Sequence, residues 1–225
     1  MKMRTALTPA LMCLLPSSAL LAQDPAGACR EIFRMPEVGA YSELHFSAAD
    51  SDDLDIRFAV VGAEAVEGAN HYWMEIAAAR VADGEQLITQ LLVPGYPFDV
   101  RDVKGYVLKL PDQPATRMPQ QMIERMGAST TAEMAWEKAC AEAEDLGTAD
   151  VSVAAGSFTA RHFRTHDEAG VHGEVWLVRT VPFAMVLMDH PEGKMELIRY
   201  GMDATSLITE EPVEFKMPMA PPNEP

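Results

Sequence analysis

The chain has 225 residues, 48% hydrophobic and 23% charged, with 18 basic residues against 34 acidic ones and a formal charge of −16. That composition excludes a disordered or fibrous protein, and the length suffices for one full-sized core without demanding two. The acidic excess argues against nucleic acid, or an anionic membrane surface, as an electrostatic partner.

Residues 1–22 have the layout of a secretory signal peptide. Lys2 and Arg4 form its positive end, residues 6–15 a short apolar stretch, and Ser17, Ser18 and Ala19 lead to Ala22 as the cleavage point. The stretch is far shorter than the roughly 20 residues that span a bilayer, and no later apolar run reaches membrane length. Cleavage would leave about 203 residues at a charge of −18, in a bacterial periplasm or outside the cell. Neither Ala-Leu-Met before Cys13 nor Ala-Gly-Ala before Cys29 forms a Leu-small-small lipobox. Only Cys29 and Cys140 then remain. In an oxidising space two thiols point to a disulfide rather than to a metal or redox site, with two separate buried thiols as the alternative.

Residues 26–35 read as a short helix between Pro25 and Pro36. From Tyr41 the texture turns to strands. Residues 41–47 alternate, and 54–61 alternate before becoming apolar. Residues 71–81 and 86–93 flank Asp83-Gly84 as a hairpin, and 100–110 form a further strand. The middle reads as helical. Met118, Met122 and Met126 stand one turn apart, and Thr130 with Glu133 makes a capping box. Along that second helix Ala132, Trp136, Ala139, Cys140, Ala143 and Leu146 form an apolar stripe that Gly147 ends. Strands return at 150–154, 158–165, 174–179, 183–189 and 195–202, joined by glycine-bearing turns that suit antiparallel hairpins. Residues 212–225 read as a Pro-rich loose tail. The organisation is a signal at 1–22, one α+β domain at 23–211 and that tail, with a large antiparallel sheet and a helical insertion over one face.

No GxSxG, HExxH, P-loop, GxGxxG, CxxC or EF-hand pattern occurs. No cofactor is implied, and the expectation is a protein that is not an enzyme. His162, His166 and His172, with Asp167 and Glu168 among them, carry the donor types for zinc or copper, although the same residues also read as a solvated hairpin loop. The 15 methionines have two readings. Thioethers bind Cu(I), but a methionine stripe at helical spacing is more often an adaptable core or cavity lining. The acid-rich turn Asp50, Asp52, Asp53 and Asp55 reads as a solvated loop, with calcium as the alternative.

Two stretches carry a resemblance. NHYWMEIAAARVADGEQLITQLLV with VKGYVLKLPDQPATRMPQQMIERM, and VAAGSFTARHFRT with GEVWLVRTVPFAMVLM and MELIRYGMDATSLIT, resemble exported bacterial proteins of the lipoprotein-carrier and lipoprotein-receptor (LolA/LolB-like) superfamily, nearer to its uncharacterised domains. The resemblance covers roughly residues 70–209 and transfers no catalytic residue. It implies a curved antiparallel sheet, an unclosed half barrel, with helices over its concave face and a groove for acyl chains. The helix bearing Met118, Met122 and Met126 would be the lid. Trp136, Trp73, Tyr106, Trp176 and Phe183 would join these methionines in lining the groove. The expected ligand is a hydrophobic small molecule, lipid or acyl chain. The alternatives are a periplasmic Cu(I) or zinc binder and a structural partner of envelope proteins.

Overall fold

The structure, a computed structural model, describes residues 25–49, 51–129, 140–166 and 170–215. Its first meander shows how local chemistry sets the strands. β1 (Tyr41–Ser47) pairs with β2 (Leu54–Val66), and β2 turns into β3 (Ala69–Arg80) through Glu67 and Gly68. These two residues have φ of 53° and 84°, the pair of positive angles that lets a two-residue turn follow the strand twist. β3 passes to β4 (Gln86–Val93) around Gly84, where Gly84 N–H donates to the Arg80 carbonyl at 2.8 Å and Glu85 N–H to Asp83 Oδ1 at 3.1 Å. β5 (Gly105–Lys109) and β6 (Thr116–Arg117) complete this half.

Pro119 opens α2 (Gln120–Ser129): its carbonyl accepts from Met122 and Ile123, and a proline at a helix start gives up no intrahelical donor. The second meander runs through β7 (Glu144–Val153), β8 (Gly156–His166), β9 (His172–Leu177), β10 (Met185–His190) and β11 (Gly193–Gly201). β11 then pairs with β1, joining the two halves into one twelve-stranded sheet in the order β12-β6-β5-β4-β3-β2-β1-β11-β10-β9-β8-β7. All its pairings are antiparallel except that of β12 (Val213–Glu214) with β6, and the sheet is open, with β12 and β7 as its edges. The tip of the β7–β8 hairpin turns back onto β11. There Ala155 N–H donates to the Leu197 carbonyl at 3.2 Å, and Ala154 N–H to Glu196 Oε1 at 3.1 Å.

Strand alternation sorts the first half into two faces. Val60, Met74 and Val93, with the partly buried Phe58, Tyr72, Ile76, Leu91 and Tyr106, point to one face beneath Val103, Ile123 and Met118. Trp73, Ala77, Ile88 and Val107 point to the other, where Ala115 and Ile208 cover them. That second face is crossed by a strap, residues 203–210. The strap continues into β12, where Val213 N–H donates to the Ala115 carbonyl at 2.8 Å. The first residues of the Pro-rich tail are therefore hydrogen-bonded into the sheet.

A disulfide joins Cys29 of α1 (Pro25–Arg30) to Cys140 with Cα atoms 5.4 Å apart, in a cluster with Ile32, Ala143, Phe163, Leu177 and Ala184. Two sequence expectations change here. The second helix was expected to run to Leu146 and stop at Gly147, but β7 begins at Glu144. Gly147, with φ of 91°, lies at a register shift between β7 and β8. The side chain of Asp145 accounts for the difference: it accepts from Gly147 N–H at 2.9 Å and pairs with Arg161 of β8, giving the backbone a local alternative to the helix. The first part of that expected helix, with Thr130, Glu133 and Trp136, lies outside the described residues. Among the described residues α-helix is found in α1, in α2 and at 140–142, and a helical layer over a concave face is not shown.

Candidate functional site

Where β9 leaves the sheet, residues 179–184 fold into a tight turn, so the strand expected from Phe183 begins at Met185 as β10. Val181 N–H donates to the Val178 carbonyl at 3.0 Å, Ala184 N–H to the Val181 carbonyl at 2.9 Å and Val178 N–H to the Ala184 carbonyl at 2.8 Å. The turn carries Phe183 and Ala184 at φ of 60° and 66°. Left-handed backbone at two consecutive non-glycine residues costs about 1–2 kcal/mol at each, so the surroundings must hold it. Ser42 of β1, itself buried, contributes by donating from Oγ to the Pro182 carbonyl at 2.6 Å. The Phe183 ring is fixed by Tyr96 at 5.2 Å, edge-on, and by Phe58 at 5.8 Å. Burial pushes the Tyr96 hydroxyl up to about 12.

Between this turn and the segment that follows α1 lies a cavity of about 390 Å³, lined by Ile32, Arg34, Met35, Pro36, Glu37, Ala40, residues 179–184 and Met202. Its size is that of a small-molecule site. Its lining is mixed, with the apolar side chains Ile32, Met35, Val181 and Phe183 beside a larger share of polar surface. Ile32 belongs to the cluster around the disulfide, and Met35 and Phe183 to the apolar face beneath α2, so the cavity borders both. Its rim is cationic as well as acidic. Among the described residues Arg57, Arg80, Arg101, Arg117, Arg161, Arg164 and Arg199 are each ion-paired with a carboxylate, whereas Arg30, Arg34, Arg125 and Arg179 are exposed without such a partner, and of these Arg34 and Arg179 line the cavity. Glu37 is the acidic residue of the lining.

Of the residues expected to line a groove, Met118, Tyr106 and Phe183 share the apolar face beneath α2, and Met122 is half-buried on α2 itself. Trp73 is not with them. It projects from the opposite face, against Ala77, Ile88 and Val107, because it alternates with Tyr72 and Met74 on β3. Trp176 lies apart as well, in the cluster of Leu44, Val186 and Leu197, and stacks on His162 with ring centres 4.2 Å apart. Trp136 and the side chain of Met126 lie outside the described residues. Sequence reasoning passed over Arg34, Met35, Ser42 and Arg179. Pro182 was the available signal, since a proline within an apolar run marks a break in the strand.

The three histidines do not form one cluster. His162 Nε2 lies 2.9 Å from Glu174 Oε2, and Arg164 Nη2 donates to Glu174 Oε1 at 3.3 Å. Burial raises the pKa of Glu174, but these contacts outweigh it and hold the carboxyl below its ordinary range. His166 and His172 face each other across β8 and β9. Among the described residues no group of three or more His, Cys, Asp or Glu side chains is placed to hold a metal. In the acid-rich turn Asp55 and Asp53 flank His45, with Asp55 Oδ1 2.8 Å from Nδ1. No helix among the described residues is long and apolar enough to cross a membrane.

No protein-family model and no curated protein matches the sequence. Two solved structures are similar in outline. One is described as an exported protein with a YmcC-like fold, from Bacteroides fragilis; it has 11% identity and a TM-score of 0.37, over 75% of this chain and 99% of that one. The other is described as a lipoprotein from Parabacteroides distasonis; it has 10% identity and a TM-score of 0.35, over 76% of this chain and 98% of that one. TM-scores below 0.5 do not establish a shared fold.

Proposed function

We propose that this is an exported, non-catalytic protein that binds a hydrophobic molecule with an anionic head, of the fatty-acid or lipid-like acyl class. The cavity between residues 32–40 and 179–184 carries the reading: apolar side chains in its lining and, beside Glu37, two arginines that have no ion-pair partner among the described residues. The head would meet Arg34 and Arg179, whose guanidinium groups bind carboxylate or phosphate oxygens in a bidentate manner. The tail would lie along Met35 and Phe183 toward the apolar face beneath α2, where Ile123 is the buried side chain among the described α2 residues. Methionines at that wall adapt to flexible chains. Export is supported by the signal-like residues 1–22 and by the disulfide, a bond that persists in oxidising compartments.

Native mass spectrometry of the chain purified from its host's membrane fraction, combined with titration of a fluorescent fatty acid, tests the reading. A co-purifying acyl molecule or saturable uptake is expected, and uptake should fall at least tenfold in the Arg34→Glu, Arg179→Glu double variant. Absence of bound lipid together with absence of uptake overturns it.

A further inference from the structure

The end of the β8–β9 hairpin holds a second pair of groups, remote in chemistry from the cavity. His166 and His172 are direct cross-strand partners, both exposed, with ring centres 4.4 Å apart and planes inclined at 62°. Among the described residues neither ring has a hydrogen-bond or ion-pair partner. That separates them from His162, which stands on the same strand about 13 Å away at the usual rise per residue, and whose ring is committed to Glu174 and Trp176. Gly173, between His172 and Glu174, places no side chain on the other face, where the His190 ring occupies the space a Cβ would take. His190 is thereby kept away from the pair.

We propose that the facing imidazoles of His166 and His172 form a two-point surface site for a divalent transition-metal ion, Cu(II) above all, with water or an external ligand completing the coordination. The spacing carries the argument. A metal–imidazole bond of about 2.0–2.1 Å puts the ion roughly 3.2 Å from each ring centre, so rings at a right angle about the ion have centres about 4.5 Å apart. The observed 4.4 Å, an edge-to-face approach, puts both rings within reach of one ion, and imidazole donors hold Cu(II) more tightly than the other divalent first-row ions. Two strands fix the donors in place, so little ordering is required on binding. The chain's charge of −16 raises the local concentration of divalent cations.

Copper(II) chloride titrated into the purified chain, with glycine as competing ligand, tests the site. One equivalent should bind, and at one equivalent without glycine the electron paramagnetic resonance spectrum should show two equatorial imidazole nitrogens. His166→Ala and His172→Ala should each weaken binding at least tenfold, and His162→Ala should leave it unchanged. Both rings are exposed, so circular dichroism should show the variants folded, and His166→Gln provides a polar control of the same sign. Wild-type affinity in the H166A/H172A double variant overturns the proposal, as does a spectrum with a single equatorial nitrogen in the unaltered chain. The fatty-acid titration does not involve these residues, so either proposal can fail without the other.

Discussion

Arg57 Nη1 donates to Glu75 Oε1 at 2.7 Å, and the carboxylate that receives it is fully buried in the middle of the sheet. Four further contacts from three groups complete its shell: Gln90 Nε2 at 2.9 Å, Ser206 Oγ at 3.0 Å, and Leu207 N–H at 3.1 and 3.2 Å to the two oxygens. Two of these groups belong to the strap, and Arg57 also donates to the Thr205 carbonyl at 3.1 Å. One acidic side chain of β3 thus anchors a segment about 130 residues further along the chain. Glu75→Ala would remove the acceptor that Arg57 Nη1, Gln90 and the Leu207 amide share, leaving Arg57 its bond to the Thr205 carbonyl and Ser206 its bond to the Ile208 carbonyl. Removing one partner of a buried pair costs about 3–5 kcal/mol, so we expect that loss in urea unfolding. Faster hydrogen exchange at the Leu207 amide would locate the damage in the strap. An unchanged Leu207 amide would show that other contacts hold the strap.

Further along the strap, Lys109 Nζ and Ala115 N–H both donate to Glu210. The Lys109 contact, with those backbone donors, draws the Glu210 carboxyl down from 4.5 to about 2. A carboxyl whose folded pKa lies below its unfolded one adds stability above the unfolded value and loses it as pH falls through the folded value. The contribution is therefore complete above pH 4.5 and disappears on the way to about pH 2. The group is solvent-exposed, so the effect is modest and sensitive to salt. Thermal melting of the chain and of Glu210→Gln should differ at pH 6 and converge toward pH 2. A constant difference across that range would contradict this assignment.

The strands were legible where turn chemistry and alternation agree, as in β1 and β4, whose bounds match those read from the sequence. The β2–β3 hairpin was less so. Glu67 is a poor residue for positive φ, and the Glu-Gly pair does not advertise the turn that asparagine and glycine would. The faces were legible by parity. Trp73 could have been assigned away from Tyr106 because its register partner Leu92 pairs with Gly105 rather than with Tyr106. The strap was not legible: nothing local in residues 203–210 announces that a buried carboxylate in β3 will receive them. Nor was the cavity, which joins residues about 145 positions apart and depends on a backbone turn whose strain is relieved only by tertiary contacts.

The Glu67 turn gives a prediction of its own. Asparagine tolerates positive φ better than glutamate, and Glu67 is exposed with no packing to lose. Glu67→Asn should stabilise the chain by about 0.5–1 kcal/mol in urea unfolding. The fatty-acid titration should not change, since the turn lies outside the cavity lining. A destabilised variant would mean that the glutamate does more here than occupy a turn.

Reduction offers a different handle on the cavity. The disulfide closes a loop of 111 residues and fastens α1, from which the Ile32 to Pro36 wall of the cavity continues. The loop-entropy model assigns a closure of that length about 5 kcal/mol. Cys29→Ser with Cys140→Ser should therefore lower stability by several kcal/mol, with the free chain losing its anchored α1 before the sheet itself. Hydrogen exchange would show this as early opening of residues 29–33 at denaturant concentrations where the β1–β4 amides stay protected. Simultaneous loss of both would make α1 part of the sheet's own cooperative unit.

Ser42 ties the strained turn to the sheet, and its loss should separate stability from binding. Ser42→Ala removes the donor to the Pro182 carbonyl, a buried bond at 2.6 Å, and leaves that oxygen without this partner, at a cost of about 1–3 kcal/mol. The left-handed residues Phe183 and Ala184 follow immediately, so the freed turn can relax toward ordinary backbone and withdraw the Phe183 ring from the cavity wall. Ser42 touches no ligand and acts through the turn, as a positioning residue. The expected result is a tenfold or greater loss of fatty-acid affinity at a temperature where circular dichroism shows the variant fully folded. Ser42→Thr, which keeps the hydroxyl, should restore most of it. Full affinity in Ser42→Ala would mean that the turn holds its shape through Tyr96 and Phe58 alone, and would leave the hydrogen bond with a purely stabilising role.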